Sequence, residues 1–402
     1  MKNLFEQYNQ ILSQKLNINM ARGKPSKEQL NLSLEMLDVV NAKTNFADND
    51  IDYRNYSNLD GVPECQKLFA DILDMPEENI TVCGASSLSI MHDLISMAMM
   101  KGVNGGVPFS KQEKIKWLCP APGYDRHFLM SESFDFELIY IPMNEYGPNM
   151  DLVEQYIKDP TVKGIWCVPK YSNPTGIIYS DEVVRRFAKL KPASKDFRIY
   201  WDNAYVSQLS FNGEYEPVLN LFKECQKYQN EDIVYVFTST SKVTFPGSGV
   251  AALGCSELNK KEYLDYLKYR LISYDKINQL RHAMFLKDQK GLNEHMMKHV
   301  AILKPKFDLV LKIFAEEIRG LASWSKPTGG YFISLYVPNK AKEVIDKCLE
   351  MGVTLTKAGN AYPYRNDSSN SHIRIAPTYL SLEDLKIATR VICLAVKLVN
   401  LD

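Results

Sequence analysis

Polar side chains suited to catalysis follow two of the short apolar runs in this sequence. Asp202 comes directly after the run Arg198–Trp201, and Lys242 lies just past the run Ile233–Thr238, in Ser239-Thr240-Ser241-Lys242. A carboxylate buried at such a point needs a cation or several hydrogen-bond donors, because burying it alone is costly. A lysine amine is a good nucleophile once it is desolvated. Either residue alone would be an ordinary polar residue at the rim of a sheet.

Three further apolar runs end in polar segments of the same kind. These segments are Gly84-Ala85-Ser86-Ser87, Pro120-Ala121-Pro122-Gly123-Tyr124-Asp125-Arg126-His127 and Asn173-Pro174-Thr175-Gly176. Alone, each of them is typical of a turn or a helix cap. The first opens a predicted helix, whose amides and hydroxyls are suited to holding a phosphate. Five strand ends that all carry ligand-binding side chains predict a single pocket at one edge of a sheet.

The elements that must position these residues alternate along the chain. Buried strands are predicted at Ile115–Cys119, Phe136–Ile141, Gly164–Val168, Arg198–Trp201 and Ile233–Thr238, with helices at Ser86–Met100, Asp151–Ile157 and Asp181–Leu190. Strands that alternate with helices favour a mostly parallel sheet covered on both faces. From Lys260 to Phe314 the pattern becomes helical, and the strands and helices that follow predict a smaller α+β domain.

The composition limits the classes of protein to consider. The chain has 402 residues, a formal net charge of zero and 45% hydrophobic residues, which suits a globular protein of two or three domains. A neutral chain argues against a broad nucleic-acid surface. No run of 18 apolar residues occurs, so we expect no membrane span. The eight cysteines are scattered and the first residues lack a signal-peptide pattern, so we expect a cytoplasmic protein.

The motifs, taken in order, resemble those of the fold type I pyridoxal-phosphate enzymes, specifically the class I aminotransferases, over nearly the whole chain. The sequence is most similar to a divergent aspartate aminotransferase subgroup that carries the segment Ala21-Arg22-Gly23-Lys24-Pro25. The resemblance implies an α/β fold in which a large domain (46–285) holds a mostly parallel seven-stranded sheet covered by helices. A smaller α+β domain would combine residues 1–45 with 286–402. It also implies a homodimer with shared active sites.

The resemblance further implies how the cofactor, pyridoxal 5′-phosphate, is held. Lys242 would form a Schiff base with the cofactor aldehyde and then shuttle a proton between substrate and cofactor. Asp202 would keep the pyridine nitrogen protonated, and Tyr205 and Asn173 would hydrogen-bond the phenolic oxygen of the ring. Tyr124 would stack on the ring. A histidine that supports the aspartate corresponds to His127.

For the cofactor phosphate, the resemblance implies Ala85, Ser86, Ser239 and Ser241, with Tyr56 reaching across from the partner subunit. One family feature is absent. The family normally has an arginine seven or eight residues after the lysine, beside a Pro-Gly pair, and this sequence has Gly249 and Val250 at those positions. The phosphate charge must then be met by extra hydroxyls or by a lysine or arginine from elsewhere. The sequence leaves these alternatives open.

For the substrate, the resemblance implies that Arg374 binds the α-carboxylate in a two-pronged salt bridge, with Gly23 and Asn173 lining the pocket. A dicarboxylic substrate needs a second cation. Arg22 is the first candidate for it, and an interface salt bridge is an equally good interpretation of that residue. Arg126 and Lys170 are weaker candidates for the second cation.

We therefore expect an aminotransferase that moves an amino group between an amino acid, with L-aspartate favoured, and 2-oxoglutarate by a ping-pong mechanism. The alternatives are an enzyme of the same fold that acts on alanine or aromatic amino acids, or one that performs β-elimination or decarboxylation. A DNA-binding regulator is disfavoured, because the motifs begin near residue 21 and the chain is neutral. A catalytically silent homologue is disfavoured by the joint presence of the site residues.

We expect no metal site in this chain. His295 and His299 have the spacing of a metal-binding helix, but Glu294 precedes the first histidine and no third ligand is near. A solvated helix face is the better interpretation of this pair.

Overall fold

The computed structural model describes residues 2–48 and 51–401. Within them the α-helices are α1 (Lys2–Ser13), α2 (Lys27–Asn31), α3 (Pro63–Leu73), α4 (Ser87–Lys101), α5 (Asp125–Ser133), α6 (Met150–Tyr156), α7 (Asp181–Ala188), α8 (Leu221–Gln226), α9 (Glu257–Leu267), α10 (Lys276–Leu286), α11 (Gln289–Glu317), α12 (Ala341–Glu350) and α13 (Leu382–Val399). The strands are β1 (Ile18–Asn19), β2 (Ala47–Asp48), β3 (Ile51–Asp52), β4 (Ile80–Val82), β5 (Lys116–Ala121), β6 (Glu137–Asn144), β7 (Gly147–Pro148), β8 (Val162–Cys167), β9 (Arg198–Asp202), β10 (Val234–Ser239), β11 (Ala251–Gly254), β12 (Ser323–Trp324), β13 (Ile333–Tyr336), β14 (Val353–Thr354) and β15 (His372–Ile375).

A central sheet of eight strands has the order β4-β11-β10-β9-β8-β5-β6-β7. The neighbours from β10 through β6 pair in parallel, whereas β11 is antiparallel to both β10 and β4. The mostly parallel sheet is confirmed. Seven strands have three or more residues, as expected, and β7 adds a two-residue antiparallel edge. The carboxyl ends of β5, β8, β9 and β10 therefore lie along one edge, where open α/β sheets bind ligands.

The predicted strands and helices recur in the structure with small shifts at their ends. Every residue of β8, β9 and β10 is buried, which explains why these strands appear as continuous apolar runs and not as alternating patterns. Helix α7 begins after Ser180, whose hydroxyl accepts a hydrogen bond from the Val183 amide at 3.3 Å. Such a cap satisfies an amide that the helix itself leaves unpaired.

The central sheet has an apolar core on each face. One face packs against α3, α6, α7, α8 and α10, and the other against α4, α5 and α9. A further core lies between the sheet β12-β13-β15 and helices α12 and α13. Helix α11 joins two of these cores: Leu292 and Met296 belong to the first, Phe307 and Val310 belong to the last, and Pro305 stands between the two pairs. A domain boundary between residues 285 and 286 stays a prediction.

The histidine pair on α11 is not on a solvated face, so that prediction was wrong. His295 is 5% exposed and His299 is 1% exposed. Both Nε2 atoms lie close to the Val243 carbonyl, at 2.8 and 3.0 Å, and Gln29 donates to Nδ1 of His299 at 3.0 Å. Burial lowers the pKa of both rings, that of His299 to about 3. Two polar side chains are buried here because a backbone carbonyl from another segment accepts their hydrogen bonds.

The cysteines contribute to packing. All eight are buried as free thiols, and burial raises the pKa of their side chains, as it does for Cys65 and Cys348. This agrees with their predicted role as small hydrophobic residues. Among the described residues, no helix has both the length and the apolar character needed to cross a bilayer.

Candidate active site

The residues predicted at the strand ends converge on one cavity of about 630 Å³. The predicted residues that line it are Arg22, Gly23, Ser86, Tyr124, Arg126, Asn173, Asp202, Tyr205, Ser239, Ser241, Lys242 and Arg374. Four predicted residues do not line it: Ala85, Tyr56, His127 and Lys170. Ala85 directly precedes Ser86, and Tyr56 is 73% exposed on the surface of the chain. The predicted role of Tyr56 in a partner subunit's site stays a prediction.

Asp202, the last residue of β9, is held by only one of its two oxygens. Nε2 of His127 donates to Oδ2 at 3.1 Å, and the His127 ring stacks on Trp166 with centroids 4.5 Å apart and an interplanar angle of 11°. Oδ1 is buried and has no hydrogen-bond partner among the described residues. A buried carboxylate oxygen without a donor suits a cationic ring nitrogen, because charge pairing would offset its desolvation.

Lys242 lies in the short 3₁₀ turn Thr240–Lys242 that follows β10. Its Nζ donates to the Gly23 carbonyl at 3.0 Å and lies 4.9 Å from the centroid of the Tyr331 ring. Burial lowers the pKa of Lys242 to about 8, against the opposing effect of the Asp202 charge. A substantial fraction of the amine is therefore uncharged and nucleophilic close to neutral pH.

Two tyrosines supply aromatic faces and neutral hydroxyls. Tyr124 precedes α5, and its ring meets His127 edge-on, with centroids 4.9 Å apart. Burial raises the pKa of Tyr124 to about 12 and that of Tyr205 well above its ordinary value. Both hydroxyls therefore keep their protons and can donate hydrogen bonds to a ligand.

The predicted phosphate site is made of hydroxyls and a helix start. Ser86 precedes α4, and its side chain makes no capping hydrogen bond to the helix. The Ser239 hydroxyl donates to that of Ser241 at 3.0 Å. These three side chains line the same cavity as the first residues of α4, whose amides favour an anion.

Gly249 is one of the two positions at which the resemblance implies an arginine, and it packs closely against Thr240 and Ala85. A Cβ atom at this position would lie 3.1 Å from the Thr240 hydroxyl and 3.3 Å from the Ala85 carbonyl. Asn278, on α10, donates to the carbonyls of Ser248 and Gly249, at 3.1 Å each. A neutral amide therefore fixes the segment that would otherwise bear the arginine.

Arg374, on β15, is surrounded by acceptors at long distances. Nη1 contacts Asn173 Oδ1 at 3.4 Å and Asp125 Oδ1 at 3.3 Å, while Nη2 contacts the Thr356 hydroxyl at 3.1 Å and the Ala21 carbonyl at 3.3 Å. Its Nε is buried without a partner among the described residues. A guanidinium with a free N–H and only long contacts is suited to a carboxylate, which binds at 2.7–2.9 Å.

The contacts of Asp125 and Thr356 with Arg374 were not predicted from the sequence. Asp125 is separated from Arg374 by 249 residues, and Thr356 by 18. The one local signal was that Asp125 directly follows Tyr124 in a strand-end segment.

Four exposed cations surround the mouth of the cavity: Arg22, Lys24, Arg126 and Lys357. The first two flank Gly23, at which a Cβ atom would lie 2.4 Å from the Phe332 ring. Only glycine lets this segment approach the ring so closely, and the approach brings both cations to the cavity. Arg22 and Arg126 thus remain candidates for a second carboxylate.

Lys170, a weaker candidate for the second substrate-binding cation, lies outside this cavity. Its Nζ donates to the carbonyls of Val206 and Gln208 at 3.1 and 2.8 Å and lies 4.1 Å from the centroid of the Tyr215 ring. Burial lowers its pKa to about 7. It lines a separate cavity of about 720 Å³. The geometry gives Lys170 a structural role in holding the loop after β9.

Comparison with known proteins agrees with this geometry. The aspartate amino-transferase family model matches residues 1–402. An aspartate aminotransferase from Corynebacterium glutamicum is 42% identical over 385 residues, which cover 95% of this chain and 89% of the relative. The crystal structure of an aspartate transaminase from Corynebacterium glutamicum has a TM-score of 0.95 at 41% identity and covers 98% of this chain and 94% of that chain.

A more distant structure shares the fold. The α-aminoadipate aminotransferase of Thermus thermophilus, complexed with N-(5′-phosphopyridoxyl)-L-leucine, has a TM-score of 0.79 at 19% identity and covers 98% of this chain and 96% of that chain. The predicted resemblance, the fold class and the expectation of an enzyme are thereby confirmed. The chain belongs to the aspartate aminotransferase family of pyridoxal-phosphate-dependent, fold type I enzymes, and it is an aminotransferase.

Proposed function

We propose that this protein transfers the amino group of L-aspartate to 2-oxoglutarate with pyridoxal 5′-phosphate as its cofactor. The names of the relatives support the substrate, and so does the charge of the cavity. Besides Lys242, it is lined by five cationic side chains (Arg22, Lys24, Arg126, Lys357 and Arg374) and by two carboxylates (Asp125 and Asp202). An excess of positive charge suits a cofactor phosphate and substrates with two carboxylates.

The residues present fit this cofactor, since Lys242 and Asp202 line the same cavity and Oδ1 of Asp202 has no hydrogen-bond partner among the described residues. When bound, the cofactor supplies an aldehyde and a ring that accepts electrons from the substrate. Asp202 keeps the ring nitrogen protonated, and His127 holds the other oxygen of Asp202. Tyr205 and Asn173 hydrogen-bond the phenolic oxygen, and Tyr124 covers the ring. Ser86, Ser239 and Ser241, with the backbone at Ala85, hold the phosphate.

Lys242 has two tasks in this reaction. Its uncharged amine, which the lowered pKa makes available, would hold the cofactor aldehyde as a Schiff base with loss of water. When the amine is free, it is the base in this cavity that would accept the proton of the substrate Cα and donate it back. The Gly23 carbonyl, which accepts a hydrogen bond from Nζ, keeps the free amine within the cavity.

The two ends of the substrate bind to different cations. Arg374 takes the α-carboxylate with its free Nε and its loosely held Nη atoms, and Asn173 lies beside it. The distal carboxylate is bound at the mouth of the cavity, where Arg22 is the first choice and Arg126, in the first turn of α5, is the second. A substrate without a distal carboxylate would leave these cations unpaired, which favours dicarboxylates.

We also propose a homodimer in which Tyr56 reaches the phosphate of the neighbouring subunit. Its ring is 73% exposed, and Tyr269 and Ile272 add large exposed apolar side chains of the kind that subunit interfaces bury. Two-fold symmetry would give two equivalent sites. A cytoplasmic location is proposed as well, which the eight free thiols support.

The observation that carries this proposal is that Lys242 and the unpaired oxygen of Asp202 share one cavity. The test is the visible absorption band of the purified protein incubated with the cofactor. We expect the band in the unchanged protein and its loss in Lys242→Ala. Lys170→Met is the control, because Lys170 is also buried with a lowered pKa but lies outside the cavity. A band that persists in Lys242→Ala would overturn the assignment.

The substrate is tested with a panel of amino donors in the presence of 2-oxoglutarate. We expect aspartate to be turned over much faster than alanine or aromatic amino acids. Slow turnover of aspartate beside rapid turnover of another donor would refute the substrate while leaving the cofactor assignment intact.

A further inference from the structure

One carboxylate of this chain is paired with the arginine that is proposed to bind the substrate. Asp125 Oδ1 lies 3.3 Å from Nη1 of Arg374, and the two side chains are 19% and 9% exposed. The other acceptors around Arg374 are uncharged: an amide, a hydroxyl and a backbone carbonyl. Among the described residues, Asp125 is the only carboxylate within 4.0 Å of this guanidinium.

This ion pair is loose. Charge-assisted hydrogen bonds between N–H and a carboxylate are commonly 2.7–2.9 Å long, and the 3.3 Å contact is well beyond that range. No other described residue donates a hydrogen bond to the Asp125 carboxylate, and Arg374 keeps a buried Nε without a partner. Neither side chain is therefore locked in place by the other.

We propose that Asp125 is an internal competitor for the substrate carboxylate. It neutralises Arg374 in the ligand-free enzyme and must give up that contact when the α-carboxylate of either substrate binds. Asp125 thereby weakens substrate binding and prevents Arg374 from retaining carboxylate products tightly. This inference rests on the proposed function of Arg374. It assigns to Asp125 a role in setting affinity and none in the transfer of the proton.

Asp125 also stands at the first position of α5, where a negative charge favours the helix dipole. The effect of this charge on the helix must be distinguished from the competition between Asp125 and the substrate carboxylate for Arg374. Asp181 offers a matched control, because it is the first residue of α7 and is paired with Arg185 at 3.0 Å. It does not line the cavity. Both aspartates lose the same charge from a helix start when they are changed to asparagine, but only one lies beside Arg374.

The experiment is a calorimetric titration of the cofactor-loaded enzyme with succinate, a dicarboxylate that cannot react. We expect Asp125→Asn to bind succinate about 3- to 10-fold more tightly than the unchanged enzyme, and Asp181→Asn to bind it equally well. The KM values for aspartate and 2-oxoglutarate should fall together by a similar factor, because both carry an α-carboxylate. The kcat should change by less than about two-fold.

Equal or weaker binding of succinate by Asp125→Asn would overturn the inference, because equal binding would mean that Asp125 does not compete with the ligand and weaker binding would mean that it orients Arg374. Asp125→Ser, which also removes the charge, gives a second measurement if the first variant folds poorly. If the unchanged enzyme and Asp181→Asn bind no carboxylate at all, the proposed function fails, and the inference fails with it. If both Asp125 variants bind succinate more tightly than the unchanged enzyme and Asp181→Asn do, the result supports the inference.

Discussion

Replacing His127 by phenylalanine removes one hydrogen bond from Asp202 and keeps the aromatic ring that stacks on Trp166. The hydrogen bond is 3.1 Å long, and the stacked rings are 4.5 Å apart. In His127→Phe both oxygens of the Asp202 carboxylate would lack a donor, since Oδ1 already has none among the described residues. Loss of the donor removes a contact that stabilises the charged form of this carboxylate.

The magnitude follows from the burial of this pair. Both side chains are almost fully buried, with 1% and 4% exposed, so solvent does little to replace the lost donor. A hydrogen bond to a charged group contributes about 1.5–3 kcal/mol. If this whole free energy is lost from the contact between Asp202 and the protonated ring nitrogen of the cofactor, kcat falls by about 10- to 100-fold. The KM should change little, because His127 does not touch Arg374.

The assay is steady-state transamination with His127→Phe and His127→Gln side by side. The glutamine amide can donate from nearly the same position as Nε2, so we expect it to recover most of the lost kcat. Two results would refute the reasoning: a kcat for His127→Phe within about two-fold of the unchanged enzyme, or a glutamine variant as slow as the phenylalanine variant. Either would mean that the hydrogen bond does not support the anion.

Two further predictions concern titration and stability. The rate at which the cofactor-free protein binds pyridoxal 5′-phosphate should rise as the pH increases through about 8, because burial gives Lys242 this pKa and only the uncharged amine attacks. Stopped-flow absorbance measures this rate. A rate that does not change with pH would contradict the lowered pKa. His299→Met should lower the free energy of unfolding in urea by about 1–3 kcal/mol, because Gln29 and the Val243 carbonyl each lose a partner. The exposed His92→Met is the control and should change it by less than about 0.5 kcal/mol; equal losses would show that burial of the pair is irrelevant. Since the pKa of His299 is lowered from 6.5 to about 3 in the fold, its contribution is complete above pH 6.5 and declines as the pH falls below that value.

Much of the site could be predicted from sequence, because parallel strands bring their carboxyl ends to one edge. Asp202, Lys242 and Asn173 all follow apolar runs, and the parallel pairing of β8, β9 and β10 places them together. The alternation of strands and helices was sufficient for this, but it did not predict the antiparallel strand β11 or the two-residue β7 of the same sheet. A strand that short carries no periodic signal.

The contacts that sequence could not predict join distant segments. The histidines of α11 were interpreted as solvated because a pair of polar residues on a helix usually is, and their partner, the Val243 carbonyl, lies 52 and 56 residues away. A backbone carbonyl leaves no signature in the sequence. Lys170 was misjudged for the same reason, since two carbonyls bind its amine. The pairing of Asp125 with Arg374 likewise depends on how the sheet β12-β13-β15 meets α5.

The proline inside α11 has a mechanical consequence. Pro305 donates no backbone hydrogen bond, so this 29-residue helix is most easily bent at that position. The turns before Pro305 carry His295 and His299, which hydrogen-bond the carbonyl of Val243, the residue after Lys242. The turns after it pack into the core beside β13 and β15. One helix therefore contacts both the segment that carries Lys242 and the core beside the strand that carries Arg374, and the residue that lacks a backbone donor lies between these two contacts.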